Sequence, residues 1–376
     1  MGESGFMQKK IGDIVGQFAV NGAFVAATEY GNGHINSTYR VKCQRETGVR
    51  HARYILQRIN THIFKNVPAL MSNINRCTSH IRQRMAAQGV SDPERRVPTV
   101  VPTCTGGGGY LADAEGVCWR MYICIEDASS CDVVETPRQA FEAARAFGRF
   151  QMALADLPGD RLHETIPDFH HTRKRFDALM ESVRRDVCGR AASVASEIRF
   201  ATERESMVDR LLDLQAAGRL PERVTHNDTK LNNVLLDHAT GEGICVVDLD
   251  TLMPGLALYD FGDMVRTATT TGAEDERDLS LVSSNMVMFE ALLGGYLEAT
   301  GDMLTDEEAS QLVFSGQLIT LEVGMRFLTD FLSGDTYFKV HREGHNLDRC
   351  RTQFRMVESL EAQASAMQRL VDRCWK

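Results

Sequence analysis

The sequence predicts an α+β protein built as two lobes, a small β-rich N-terminal lobe carrying one helix and a larger, mainly helical C-terminal lobe. Three observations lead there. The first third alternates short β-prone runs with glycine-containing loops. The remainder repeats apolar residues at helical spacing. A length of 376 residues is enough for two separate cores. The lobes are expected at 1–126 and 127–376.

In the N-terminal part, Phe24 to Glu29 and Thr38 to Cys43 flank Tyr30-Gly31-Asn32-Gly33-His34-Ile35-Asn36, a strand–glycine loop–strand pattern. Arg53 to Arg58 reads as a third strand. Val67 to Met85 places Val67, Leu70, Met71, Ile74 and Ile81 at helical spacing. The run Gly106 to Gly109 separates two further strand candidates and reads as a hairpin tip, the second strand being Cys118 to Ile125. Beyond it, Pro137 opens a helix through Ala155 with Phe141, Ala144, Phe147 and Phe150 on one stripe. Helical character continues over Phe176 to Asp186 and Val194 to Ala216. Two short strands surround Asp237 to Gly241. Helices return at Asp260 to Thr269, Leu279 to Thr300, Asp306 to Leu332 and Arg349 to Val371.

Composition narrows the function. Net charge is −9 with a pI near 5.7, which disfavours a nucleic acid partner, because that needs many Lys and Arg contacts. No apolar run is long enough to span a bilayer, and Met1 to Lys10 lacks the apolar core of a signal peptide, so a cytoplasmic protein is expected. The ten cysteines are scattered without a C-x-x-C pair, which speaks for free thiols rather than zinc or redox work.

The chemistry concentrates in Thr225-His226-Asn227-Asp228-Thr229-Lys230-Leu231-Asn232-Asn233, followed by the apolar run Ile244 to Val247 and Asp248. His-x-Asp, an Asn five residues after that Asp, and an Asp closing a strand form the pattern of a phosphoryl-transfer loop. A hydroxyl is a poor nucleophile, so a carboxylate must orient it and accept its proton; Asp228 takes that part. Asn233 and Asp248 would hold magnesium on nucleotide phosphates through oxygen ligands. Asp250 would point to the same side as Asp248 in a strand, and either assists the metal or caps a turn. Asp260-Phe261-Gly262 spells a kinase metal motif, but Pro254-Gly255 precedes it rather than a hairpin strand. Asp260 and Asp263 therefore read as helix-start residues that buttress the loop near His226. In the Tyr30–Asn36 loop, Gly31 and Gly33 would let backbone approach phosphates. No G-x-x-x-x-G-K-[ST] motif occurs, which excludes a P-loop fold.

These residues resemble the aminoglycoside phosphotransferase and choline kinase superfamily, whose fold is two-lobed and protein-kinase-like. The likeness is closer to the N-acetylhexosamine 1-kinase family, carried by Tyr30 to Asn36, Tyr54 to Gln57, Arg223 to Asn233, Asp248 to Thr251, Met253-Pro254-Gly255, Asp260 to Asp263, Gly324 to Leu328, Tyr337-Phe338 and Glu343 to Asn346. The resemblance implies ATP- and magnesium-dependent phosphorylation of the anomeric hydroxyl of N-acetylglucosamine or N-acetylgalactosamine. The implied partners are then a small-molecule sugar and ATP, with neither membrane nor nucleic acid, and the chain is expected to act as a monomer. By position, Asp228 is the base, Asn233 and Asp248 hold magnesium, Arg326 and Tyr337 contact the sugar, and His34 lies where the glycine loop meets sugar or phosphate. Adenine would sit near Ile125 and Glu126, with Tyr122 on the strand leading in. Two departures stand out. Gln57 occupies the place of the third-strand Lys of the wider superfamily, a feature shared with the closer family. Thr267 stands where an aromatic is expected near the sugar, so plain hexoses could be tolerated differently. The rival acceptors are other small alcohols, homoserine foremost; a catalytically dead relative that only binds nucleotide or sugar is the remaining alternative.

Overall fold

The computed structural model describes residues 3–31, 35–45 and 51–375. The chain forms two compact units. The first comprises the chain up to Ala128 together with two returning segments, Leu157–Ile166 and Cys245–Leu252; the second holds the remainder.

The first unit opens with a helix, α1 (Glu3–Val15). A five-stranded antiparallel sheet follows, built from β1 (Ala23–Glu29), β2 (Ser37–Gln44), β3 (His51–Arg58), β4 (Tyr110–Ala112) and β5 (Cys118–Ile123) in the order β1-β2-β3-β5-β4. Between β3 and β4 lie α2 (Val67–Ala87) and the single turn α3 (Pro93–Arg96). Asn66 starts α2 by accepting from the Ala69 amide at 3.0 Å, and Pro68 sits in the first turn, where it removes no needed donor. Alternate residues of the strands face one core. Val41, Cys43, Leu56 and Met121 are fully buried there, with Ile11, Ile14 and Val15 of α1 packed against them.

Two expectations are corrected in this unit. The lobe carries α1 and α3 in addition to the one predicted helix; among the described side chains of α1 the buried apolar ones are Ile11, Ile14 and Val15, too few to make a clear period in the sequence. The glycine run does not form a hairpin tip. It precedes β4, whereas the β4–β5 turn is Asp113 to Gly116, closed by Asp113 accepting from the Glu115 and Val117 amides at 3.0 and 2.9 Å.

After β6 (Ala128–Ser129), the second unit contains α4 (Pro137–Leu154), α5 (Thr172–Arg185), α6 (Ala195–Thr202), α7 (Arg210–Ala216), β7 (Arg223–Thr225), β8 (Val234–Asp237), β9 (Gly243–Val246, in which the chain passes to the first unit), β10 (Met253–Gly255), α8 (Ala257–Ala268), α9 (Met286–Thr300), α10 (Asp306–Leu332) and α11 (His345–Cys374). The region 194–216 is broken rather than continuous, because a 3-10 turn at Glu205–Met207 separates α6 from α7. Thr136 and Gln139 cap α4 reciprocally, and Thr305 and Glu308 do the same for α10. Helix α10 is apolar around most of its circumference, and accordingly it is enclosed along almost its whole length. Helices α4 and α9 cross closely at Gly295, where a Cβ would stand 2.1 Å from the Phe141 carbonyl oxygen. Among the described residues no helix is long and apolar enough to cross a membrane.

Candidate active site

In the second unit the candidate base lies in a loop leaving β7. That strand pairs antiparallel with β10, Thr225 opposite Met253, and Arg223 of β7 is clamped by the Glu308 carboxylate of α10 at 2.7 Å through both Nε and Nη2. The loop amides then dock on the start of α8. Asp260 accepts from the backbone N–H of His226 at 2.9 Å and of Asn227 at 2.7 Å. Asp263 accepts from Thr229 N–H at 2.8 Å, and the Thr229 hydroxyl donates to the Asp260 carbonyl at 2.6 Å. The buttress expected of Asp260 is thus made to backbone amides. Gln151 holds Asp260 from behind at 2.6 Å and is itself held by the Tyr296 hydroxyl at 2.7 Å. Burial pushes the Asp260 carboxyl up from its ordinary value despite these donors. His226 is completely buried against the edge of Phe147, and its Nδ1 accepts from the Asp228 amide at 3.3 Å.

These bonds present Asp228, half-buried, beside two partners. Asn233 Nδ2 donates to the Asp228 carbonyl at 2.8 Å and to its Oδ2 at 3.1 Å. Lys230 Nζ stands 3.1 Å from Oδ1, and Asp228 is the main reason the Lys230 ammonium is held above its ordinary value. Each carboxylate oxygen has two acceptor sites, so capacity remains for a substrate hydroxyl. With its NH2 engaged by Asp228, Asn233 has its Oδ1 to offer a cation. Lys230 was passed over in the sequence; the signal available was its place two residues after the candidate base.

A second cluster forms on α10. The Arg326 guanidinium lies over the rings of Phe169 and Phe338, 5.2 and 5.7 Å from their centroids, and 3.9 Å from Glu322 one turn earlier. Tyr337 is 59% exposed and stands edge-on to Phe338, so its ring is open to a ligand. Its loop is ordered by Asp330, which accepts from the amides of Thr336, Tyr337 and Phe338 at 2.8–2.9 Å and from Asn346 Nδ2 at 2.9 Å. Asp330 was invisible in the sequence, since four donors spread over 336–346 converge on it only in the fold. Thr267 directs its hydroxyl to the Asp263 carbonyl at 2.9 Å, within its own helix.

In the first unit, Gly31 adopts φ 76 with open space where a Cβ would be. Gly33 and His34 lie outside the described residues. Gln57 faces Arg120 across the β3–β5 pair and accepts from its Nε at 3.0 Å, while donating to Thr38 at 3.1 Å. Arg120, fully buried, also binds Asp250, whose other oxygen accepts from Asn36 Nδ2 at 2.5 Å. Of the alternatives open for Asp250, its carboxylate is taken up by this ion pair. Asp248 holds the left-handed turn (φ 58) before it and, after Asp250 and Tyr122, adds to the field that keeps Arg120 charged. Tyr122 lies beside the Arg120 guanidinium, and burial pushes its phenol up. Ile125 is half-buried. Glu126 pairs with Arg53, and its carbonyl accepts from Arg95 at 3.0 Å. Arg120 had no sequence signal, because its role follows from strand register.

The donor types suit magnesium. That ion takes one or two protein oxygens and completes its shell with substrate phosphates and water. Among the described residues there is no group of three or more His, Cys, Asp or Glu that could hold a metal ion.

The phosphotransferase enzyme family model matches residues 26–303, most of the chain, and the chain belongs to that family. Its fold is similar to three solved structures. A microcompartment-associated aminopropanol kinase is 17% identical with TM-score 0.59, covering 96% of this chain and 98% of that one. An aminoglycoside phosphotransferase from Alicyclobacillus acidocaldarius is 13% identical with TM-score 0.60, covering 96% and 95%. A choline kinase from Cryptosporidium parvum is 13% identical with TM-score 0.55, covering 98% and 99%.

Proposed function

We propose that this phosphotransferase moves the γ-phosphoryl group of ATP to the anomeric hydroxyl of an N-acetylhexosamine, giving the sugar 1-phosphate. The observation that carries the reading is the Asp228 carboxylate, fixed by Asn233 and Lys230 on a loop docked to α8. In this reading Asp228 orients O1 and accepts its proton as bonding to phosphorus develops. The anomeric hydroxyl is more acidic than an ordinary alcohol, so a carboxylate of modest basicity suffices. Lys230 would neutralise charge on the transferring group. Asn233 and Asp248 would each lend an oxygen to magnesium, which spreads phosphate charge when bound. Gly31, Gly33 and Gln57 would serve the phosphates, and Tyr122, Ile125 and Glu126 the adenine side.

The acceptor is argued from Arg326 and Tyr337, together with the late segments shared with the N-acetylhexosamine 1-kinases. A guanidinium between two rings supplies donors for ring, hydroxyl and acetamido oxygens, and an open tyrosine face suits sugar C–H groups. Choline is disfavoured. Burial, and after it the neighbouring Arg326 charge, lowers Arg175 from its ordinary value, and a cationic acceptor would add a third positive group. The same guanidinium gives homoserine, through its carboxylate, the second claim.

ATP consumption with N-acetylglucosamine, N-acetylgalactosamine, glucose, homoserine and choline separates these acceptors, and phosphorus NMR of the product distinguishes a 1-phosphate from a 6-phosphate. The reading expects both N-acetylhexosamines to be preferred and phosphorylated at O1. Turnover of homoserine alone, or a 6-phosphate product, would replace it.

A further inference from the structure

His170 precedes α5 and is almost fully buried. Its Nδ1 lies 3.0 Å from Glu322 Oε1 and its Nε2 lies 3.2 Å from the carbonyl oxygen of Asn227. A carbonyl and a carboxylate only accept. A neutral imidazole has one N–H and one lone pair, so either tautomer would aim a lone pair at an oxygen. Both contacts are favourable only if the pair carries one further proton.

The surroundings decide which partner carries it. From α8, the Tyr259 ring lies 5.2 Å away and the Asp263 carboxylate lies within electrostatic range of the ring. From α10, Arg326 stands 3.9 Å from Glu322, and Arg175 of α5 contributes to the same field. Glu322 is thus faced by two guanidiniums whatever the state of the ring, which favours its anion, and the further proton belongs on the ring. Glu322 Oε2 is buried with no hydrogen-bond partner among the described residues. A buried ion pair left so incompletely satisfied is weak evidence for a stabilising role.

We infer that His170 is an imidazolium clamped between Glu322 and Asn227, and that it is a positioning residue fixing the turn that presents Asp228. Asn227 has φ 65, the left-handed region that Asn enters more readily than most L residues. Its N–H is anchored by Asp260 and its carbonyl by His170, so the residue before the base is gripped on both sides. Glu322 is one turn from Arg326 on α10, so the same ring joins the proposed acceptor helix to the base loop. The functional half of this inference rests on Asp228 being the base; the protonation half does not.

The test uses the full-length protein labelled with 15N-histidine at neutral pH. Long-range proton–nitrogen correlation should show both His170 nitrogens in the protonated range, the signal being assigned by its loss in His170→Gln. In Glu322→Gln, which keeps the shape but removes the charge, the ring should become neutral. A neutral ring in the unmodified protein overturns the inference whatever the substrate proves to be. In kinetics with N-acetylglucosamine, His170→Gln should lower kcat about tenfold to a hundredfold, as loss of an orienting partner does, with KM for ATP unchanged. A folded His170→Gln with undiminished kcat also overturns it. Failure of the base assignment reads differently: Asp228→Asn would stay active while the His170 signal remained protonated.

Discussion

At the residue scale, one carboxylate is worth little until its neighbours aim it. Asp228 is aimed by an amide, an ammonium and a buried ring, each from a different part of the second unit or of the loop itself. Asp228→Asn keeps the shape and removes the basicity. Turnover should fall by about 10²–10⁴-fold, the range of general-base contributions, with ATP binding by calorimetry preserved; unchanged turnover would contradict the assignment. Asp260→Ala strikes the same loop from below. It removes the carboxylate that accepts from the buried His226 and Asn227 N–H groups, a loss of about 1–3 kcal/mol for each bond, so thermal unfolding should shift down along with activity. Asp228→Asn should leave the melting temperature nearly unchanged, and that contrast separates chemistry from support.

Two elements of the second unit set positions by close packing and by loop ordering. Gly295 lets α9 cross α4 with backbone near backbone, and Gly295→Ala puts a methyl group into the Phe141 carbonyl. Overpacking of this kind costs about 1–3 kcal/mol, read as a lower denaturant midpoint with an unchanged slope. The segment after α10 is held differently. Asp330 collects three successive amides and the Asn346 side chain, so Asp330→Ala should free the Tyr337 loop. The expected outcome is a raised KM for the acceptor with KM for ATP little changed. Equal rises in both would show that the loop serves the fold as a whole rather than the acceptor. The Glu-x-His-Asn segment thereby gains a physical reason: Asn346 is a strut for Asp330.

Across the whole molecule, buried carboxylates tie stability to pH. Asp263 and Glu322 are pushed up by burial, but Arg266 and Lys230 in one case, and His170, Arg326 and Arg175 in the other, bring the net value below the ordinary range. A group lowered in the fold stabilises above its unfolded value, about 4 for these residues, and that contribution disappears as pH falls through the folded value. Asp260 is raised and therefore acts with the opposite sign, offsetting part of the loss. Melting temperature should hold from neutrality down to mild acid and then fall below about pH 4. In Asp263→Asn that acid slope should be shallower, and an identical slope would show that Asp263 takes no part in it.

The sequence by itself determined the elements whose signal is local. Asp306–Leu332 is recovered residue for residue, and β1, β2, β3, α2 and α4 fall within a few residues, because helical and strand periodicity are written into neighbouring side chains. Asp228 and Asn233 stood out for the same reason, since one short loop carries both, but the hydrogen bond between them was not foreseen. Only the tertiary structure decided what lies far apart in the chain. Gln57 meets Arg120 through strand register, Arg120 meets Asp250 across 130 residues, and His170 meets Glu322 across 152. A buried charge reveals its partner only when the fold excludes water around both, and nothing in local spacing carries that information.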